Sequence, residues 1–237
     1  MPDIELQPTS TRLDAYGRKR LVQVSSTLIL AAAMFFIAAG KLNFLWGWVY
    51  LAIGAVSLIL GGIYVFRLNP QAINERGRPA EGQKGWDKLI MMAYLPMFIG
   101  VYIVAGLDAR FDWSAVPVWL HSLGVVLALA GSALTYAAMA HNKFLSMYVQ
   151  VAQERGHQVA TEGPYRYIRH PMYLSLVLSW PALALLLGSY WALIPGLLAS
   201  TIIVLRTSLE DRTLQSELPG YADYASRVRY RLLPGVW

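Results

Sequence analysis

The 237-residue chain is 56% hydrophobic and only 14% charged, with a mean hydropathy of +0.42. This composition excludes an ordinary soluble domain, which needs far more polar surface. The absence of cysteine excludes a disulfide framework, a thiolate metal site and a cysteine nucleophile. The formal charge of +6 comes from basic residues between apolar runs, so it indicates membrane topology and not nucleic-acid binding.

Apolar runs of about 20 residues predict helices that cross a bilayer. In chain order they cover roughly residues 21–40, 44–66, 89–107 and 118–140, followed by shorter runs at 171–187 and 191–205. Only three residues, 188–190, join the last two runs, which predicts a tight hairpin of two short helices. We therefore expect an all-α, polytopic membrane bundle with about six transmembrane helices. Five spans plus a short re-entrant hairpin is the alternative.

The basic residues predict the orientation of the bundle. All of the 20 Lys and Arg residues except Lys41 and Arg110 lie on one side of the predicted spans. Because cytoplasmic loops carry an excess of Lys and Arg, both termini are expected to be cytoplasmic. The polar segment before the first run lacks the layout of a cleaved signal peptide, so the first run is expected to be a retained helix.

The sequence divides into three parts without an internal repeat. Residues 1–20 form a predicted cytoplasmic segment, and 21–142 hold the first four spans with a basic cytoplasmic loop at 67–88. Residues 143–237 contain a dense polar cluster at the predicted cytoplasmic face. No acidic residue falls inside a predicted span, which argues against a coupled transporter.

The polar cluster has two components. In the first, His170 directly precedes Pro171, a favoured first residue of a helix, whose free N–H groups favour an anionic or electron-rich ligand. The plainer interpretation is a capping histidine among arginines that only set topology. In the second, Arg206 and Glu210 lie one helical turn apart. They form either a surface ion pair beside the headgroups or a cation and a carboxylate that bracket a polar ligand.

Other site classes find little support in the sequence. No metal site is expected, because the four histidines, at 121, 141, 157 and 170, lack metal-binding spacing. A Walker lysine, a GxGxxG turn after a strand and a GxSxG elbow are also missing.

The residues from 157 to 224 carry a family resemblance. The strings at 157–160 and 163–173, Arg206-x-x-x-Glu210-Asp211 and the run at 219–224 resemble the signature of the isoprenylcysteine carboxyl methyltransferases. Phospholipid N-methyltransferases share a related C-terminal pattern. The resemblance covers roughly residues 143–234, under half of the chain, and gives no residue-level match in the N-terminal half. Substrate choice is expected to depend on that half, including the loop at 69–88.

The resemblance implies S-adenosylmethionine as cofactor, bound at the cytosolic end of the C-terminal helices, and a lipophilic substrate that enters from the bilayer. Arg206 would be the catalytic residue that faces a substrate carboxylate. The residues implied to line the cofactor pocket are Gln150, His157, Gln158, Val159, Ala160, Tyr165, His170, Pro171, Met172, Tyr173 and Glu210. Ala160, Met172 and Asp211 depart from the usual family residues, and the first two could reshape the pocket.

The sequence leaves three functional hypotheses. The leading one is an integral membrane methyltransferase that forms a methyl ester on a lipophilic carboxylate. Such an acceptor is ionised at neutral pH, needs no base and suits the planar guanidinium of Arg206. The first alternative is methylation of a phospholipid amine or another small molecule, which would need a base. The second is a non-catalytic membrane protein that binds lipids. The oligomeric state is left open.

Overall fold

The computed structural model describes residues 12–79, 82–151 and 153–237. Of the predicted cytoplasmic segment at 1–20, residues 1–11 lie outside these ranges, and 15–20 form the first turns of a helix. The described residues contain no strand, which confirms the all-α class. Their eight helices are α1 (Ala15–Ala39), α2 (Leu45–Leu68), α3 (Pro70–Gly77), α4 (Gly85–Phe111), α5 (Val118–Ala140), α6 (Pro171–Leu186), α7 (Leu193–Glu217) and α8 (Tyr221–Arg227).

Six of these helices are apolar. Helices α1, α2, α4, α5 and α7 are long and apolar enough to cross a membrane. Helix α6 has 16 residues, or about 24 Å, which is shorter than a hydrocarbon core of about 30 Å. The prediction that both helices of the hairpin are short is therefore confirmed for α6 and wrong for α7. Its second helix, α7, is not short, because it continues beyond residue 205 as a polar helix that a search for apolar runs does not count.

The six apolar helices form a closed ring. Each packs against two neighbours in the order α1, α2, α5, α6, α7, α4 and back to α1. Helix α6 is well buried in protein along its length, so its short span is enclosed largely by other helices. Apolar side chains such as Ile29, Leu60, Leu95 and Val126 are exposed on the outside of the ring, as expected for a surface that faces lipid.

Helix α4 is longer than the predicted span at both ends and includes two buried carboxylates, Asp87 and Asp108. Asp108 accepts hydrogen bonds from the Ser114 backbone (2.7 Å) and hydroxyl (2.6 Å). It also accepts one from Ser189 in the link between α6 and α7. These bonds hold the hairpin at the end of the bundle opposite the basic loops. Both carboxylates lie near helix ends and away from the middle of the span.

Part of the predicted basic loop at 67–88 is helix α3, which packs closely on the start of α1. Gly17 and Gly77 permit this approach. A Cβ atom on Gly17 would lie 2.1 Å from Asn74 Oδ1, and one on Gly77 would lie 2.0 Å from the Tyr16 carbonyl oxygen. The same Asn74 Oδ1 accepts a hydrogen bond from the Asp14 backbone. The contact fixes the basic end of α1, with Arg20, beside α3, with Arg76.

Candidate active site

A cavity opens at the basic end of the bundle, where α1 begins and α7 ends. Its wall is built from the segment that follows α5, the start of α6, the polar half of α7 and helix α8. All of the residues expected to bind the cofactor line it except Pro171, which is buried at the first position of α6. The lining members are Gln150, His157, Gln158, Val159, Ala160, Tyr165, His170, Met172, Tyr173 and Glu210.

The turn at 163–166 places Tyr165 in the cavity wall. Gly163 has φ +57°, and a Cβ atom there would lie 2.6 Å from the His141 ring, so the position requires glycine. The Tyr165 hydroxyl accepts a hydrogen bond from Asn142 (3.2 Å), and its carbonyl accepts one from Tyr224 (2.7 Å). Burial raises the pKa of Tyr165, so its hydroxyl stays protonated at neutral pH.

His157 lines the cavity as a neutral imidazole. Its ring stacks on Phe144 with 5.0 Å between the ring centroids. Burial, with the nearby charge of Arg155, lowers the pKa of His157 to about 4. Because the imidazole is uncharged at neutral pH, this pair offers a flat aromatic surface that does not repel a cationic ligand.

Asp211 anchors the floor of the site. Its carboxylate is fully buried and accepts hydrogen bonds from His170 Nε2 (3.2 Å) and the Tyr221 hydroxyl (3.0 Å). It also pairs with Arg169 Nη2 (3.1 Å) and Arg231 Nε (2.8 Å). Burial and the adjacent Asp211 carboxylate raise the pKa of Tyr221, which keeps its donor in place.

The plain interpretation of His170 and Arg169 is therefore incomplete. His170 is the cap residue of α6, but its side chain and that of Arg169 bind Asp211. The His170 side chain makes no capping hydrogen bond at the start of α6. Arg169 is buried and not directed at headgroups, and its backbone N–H donates to the Tyr230 carbonyl. Both side chains hold α6 against α7 and the chain's C-terminal segment.

Tyr173 and Glu210 join α6 to α7 within the cavity. The Tyr173 hydroxyl donates a short hydrogen bond to Glu210 Oε2. The Tyr173 ring stacks on His170, with 5.8 Å between centroids and 21° between planes. Of the two residues Arg206 and Glu210, Glu210 therefore belongs to the cavity wall. Its carboxylate is bound by Tyr173 and not by Arg206.

Arg206 does not lie at the headgroups, and its partner comes from another helix. It is buried, and its Nε and Nη2 atoms pair with Asp87 of α4 at 2.7 and 3.3 Å. Nη2 also donates to the Met147 carbonyl (2.7 Å), and the guanidinium carbon lies 5.4 Å from the Tyr173 ring centre. Arg206 contacts the cavity wall from behind and does not line the cavity. The surface ion-pair interpretation is therefore wrong.

The lining fits a ligand that carries N–H donors, a positive charge and a flat ring. Gln150 Oε1 is buried and lacks a hydrogen-bond partner among the described residues. Glu210 supplies a carboxylate, and the His157–Phe144 stack supplies aromatic surface. In the described ranges, no group of three or more His, Asp or Glu side chains could hold a metal ion. These features match the amino, sulfonium and adenine groups of S-adenosylmethionine.

Sequence reasoning missed a large part of the wall and the residues that support it. The missed lining residues come from 142–149 and from the C-terminal end of α7 and α8, including Tyr148, Leu214, Tyr221 and Tyr224. The run at 219–224 belongs to the family resemblance, and that signal could have identified the two C-terminal tyrosines. No local pattern marked Asp87 as the partner of Arg206.

A family comparison matches the same region. Residues 119–218 match the family model described as phospholipid methyltransferase (PEMT). The match covers nearly all of α5, the cavity segment, α6 and α7, and leaves α1 to α4 outside. No curated protein matches the chain. The resemblance to integral membrane methyltransferases is thus confirmed over the part of the chain that builds most of the cavity.

Proposed function

We propose that the chain is an integral membrane methyltransferase that uses S-adenosylmethionine to methylate a lipophilic acceptor. The observation that carries the proposal is the cavity itself. Residues from separate sequence motifs meet in one wall that contains the Glu210 carboxylate and a buried Gln150 Oε1, which has no hydrogen-bond partner among the described residues. The family match to methyltransferases supports the same activity.

The side chains have separate duties in this proposal. S-adenosylmethionine, when bound, supplies a methyl group on a positively charged sulfonium, which is already an activated electrophile. Gln150 Oε1 would accept an N–H of the bound cofactor, and Glu210 would stabilise its positive charge. The Tyr173 hydroxyl holds the Glu210 carboxylate in position. The protein then has only to align the acceptor and exclude water.

The first acceptor class is a lipophilic carboxylate, which would form a methyl ester. A carboxylate oxygen forms the new bond to the methyl carbon as the carbon–sulfur bond breaks and its electron pair stays on sulfur. Arg206 does not line the cavity, so it would orient the carboxylate from behind the wall, through Nη1, because Nε and Nη2 are held by Asp87 and Met147.

A lipid amine is the second candidate acceptor. The matched family is one of phospholipid methyltransferases. In addition, Asp87 compensates the charge of Arg206, so Arg206 repels a protonated amine less than an unpaired arginine would. An amine also has to lose a proton, and Glu210 is the carboxylate in the cavity wall that could accept it.

Two measurements test the proposal. Calorimetry on the purified protein in maltoside detergent should show saturable S-adenosylmethionine binding, and a protein that binds none overturns the proposed function. With methyl-tritiated cofactor and bilayer lipids, the labelled product should appear in the lipid fraction. Treatment with base releases methanol from a methyl ester but not from a methylated amine, so it separates the two acceptor classes.

A further inference from the structure

Three arginines from distant parts of the chain meet behind the cavity wall. Arg20 Nη1 donates to the sulfur of Met147 (2.7 Å), and Arg206 donates to the carbonyl of the same methionine. Arg76 Nη1 donates to the sulfur of Met172 (3.2 Å), which lines the cavity. Helices α1, α3 and α7 thus bring three guanidinium groups next to one side of the cavity.

Within the part of the chain that the structure describes, only one of these three positive charges is compensated by an ion pair. Arg206 pairs with Asp87. Among the described residues, no carboxylate lies within ion-pair distance of Arg20 or Arg76. Their hydrogen-bond acceptors are uncharged: the Gln23 side-chain oxygen (3.0 Å) and the Met147 sulfur for Arg20, and the Met172 sulfur for Arg76. The buried carboxylate of Glu75 is not available to them, because Arg78 and Arg155 bind it.

The surroundings of Arg76 make an anionic partner favourable. Burial and the positive charges of Arg20 and Arg206 lower the pKa of Arg76 to about 9. A partly buried cation with like charges beside it is destabilising until an anion compensates it. Guanidinium groups suit the paired oxygens of phosphate and carboxylate groups.

The position of Arg20 indicates that this anion belongs to a lipid. Leu21 and Val22, which follow Arg20 on α1, are exposed apolar residues, and after a largely polar stretch at 23–27 the apolar surface of α1 continues with Ile29 and Leu30. The lipid-facing surface therefore begins within a few residues of the arginine. A headgroup held here would keep its chains against apolar helices while its polar part lay next to Met172 and Tyr173 of the cavity wall. A soluble anion has no use for that apolar surface.

We propose that Arg20 and Arg76 form a binding site for the anionic headgroup oxygens, phosphate or carboxylate, of the lipophilic methyl acceptor. This inference rests on the proposed function for the identity of the lipid as acceptor. It assigns substrate recognition to α1 and α3, outside the part of the chain that matches the methyltransferase family. It also separates substrate binding from cofactor binding, which depends on Gln150 and Glu210.

The test measures lipid binding to the purified protein in maltoside detergent by calorimetry. The anionic probes are dioctanoyl phosphatidate and dodecanoate, and dioctanoylglycerol is the neutral probe with the same chains as phosphatidate. The wild type should bind at least one anionic probe roughly tenfold or more tightly than the neutral one. Arg76→Gln and Arg20→Gln should each remove most of that preference. Arg67→Gln is the matched control, because Arg67 is an exposed arginine at the same end of the bundle.

Thermal unfolding separates a binding role from a structural one. Since Arg76 has no ion-pair partner in the described ranges, Arg76→Gln should leave the unfolding midpoint unchanged or raised, and should abolish the rise that phosphatidate produces in the wild type. Arg76→Lys should keep part of that rise. If Arg76→Gln fails to fold, Arg20→Gln and Arg76→Lys carry the same comparison.

Specific outcomes would overturn the inference. Equal affinity for anionic and neutral probes, or equal losses in Arg76→Gln and Arg67→Gln, would show that the arginines only set topology. Inorganic phosphate that displaces phosphatidate at equal concentration would show a site for a soluble anion. S-adenosylmethionine affinity should change much less than lipid affinity in all of these variants, because none of the replaced arginines lines the cavity. If the wild type binds no S-adenosylmethionine, the proposed function is overturned. The lipid measurements still decide whether Arg20 and Arg76 bind an anionic headgroup.

Discussion

Arg206 on α7 forms a two-point ion pair with Asp87 on α4, 119 positions earlier in the chain. The Asp87 carboxylate also accepts hydrogen bonds from the Val149 backbone (3.0 Å) and from Gln83 (2.9 Å). One buried carboxylate therefore joins two membrane helices to the segment that carries Gln150. Through this pair, the packing of the N-terminal half sets the position of the cavity wall.

Replacement of Asp87 by Asn should destabilise the protein strongly. It leaves the Arg206 guanidinium buried without a counter-charge, and breaking a buried pair in this way costs about 3–5 kcal/mol. The unfolding midpoint in detergent should fall, and the double variant Asp87→Asn, Arg206→Gln should recover part of the loss. Asp223→Asn, an exposed carboxylate on α8, is the control. A loss no larger than that of the control would show that the ion pair contributes little.

His157 should make stability depend on pH in a defined range. Its folded pKa of about 4 lies below the ordinary value of about 6.5. Between these values the unfolded chain binds a proton that the folded chain does not, so stability falls as the pH falls from about 6.5 to about 4. Above that range this contribution is constant.

The variant His157→Phe keeps the stack on Phe144 and removes the titrating group. The unfolding midpoint, measured from pH 4 to 8, should therefore fall less steeply at low pH in the variant than in the wild type. Parallel curves would show that His157 titrates normally.

The orientation of the bundle is open to a labelling test, because the chain has no native cysteine. Leu42→Cys lies in the exposed link between α1 and α2, and Arg67→Cys lies at the basic end. In intact cells, a membrane-impermeant thiol reagent should label Leu42→Cys and should reach Arg67→Cys only after lysis. The reverse pattern would place the cavity on the external face.

The parts of the fold that face lipid could be predicted from sequence, because lipid exposure imposes long apolar runs. Helix α5 begins and ends where its apolar run does, at 118 and 140. The polar half of α7, both ends of α4 and helix α3 instead contain charged residues that are buried against protein, such as Arg206, Asp87 and Glu75. Apolar periodicity carries no signal for such segments.

The same limit applies to the candidate site. The cofactor-lining residues could be predicted because they are consecutive within motifs of a recognisable family. Asp87 and Arg206 are far apart in sequence, and the choice of Asp87 over the nearer Glu210 as partner depends on the packing of α4 against α7. The convergence of Arg20 and Arg76 likewise depends on the close contact of α1 with α3.

The Glu210–Tyr173 pair gives the sharpest test of the cavity as a cofactor site. Glu210→Gln removes the negative charge from the cavity wall, so it should weaken S-adenosylmethionine binding by roughly tenfold or more. Tyr173→Phe leaves the carboxylate in place and removes only the hydroxyl that positions it, so its effect on affinity should be smaller. Glu162→Gln is the control, because Glu162 is exposed in the turn before Tyr165 and does not line the cavity.

S-adenosylhomocysteine, whose sulfur is uncharged, should lose less affinity than S-adenosylmethionine in Glu210→Gln if the carboxylate acts on the sulfonium. Calorimetry with both ligands on the same preparations measures the difference. Unchanged affinity for both ligands in Glu210→Gln would remove Glu210 from the cofactor site and leave it as a link between α6 and α7.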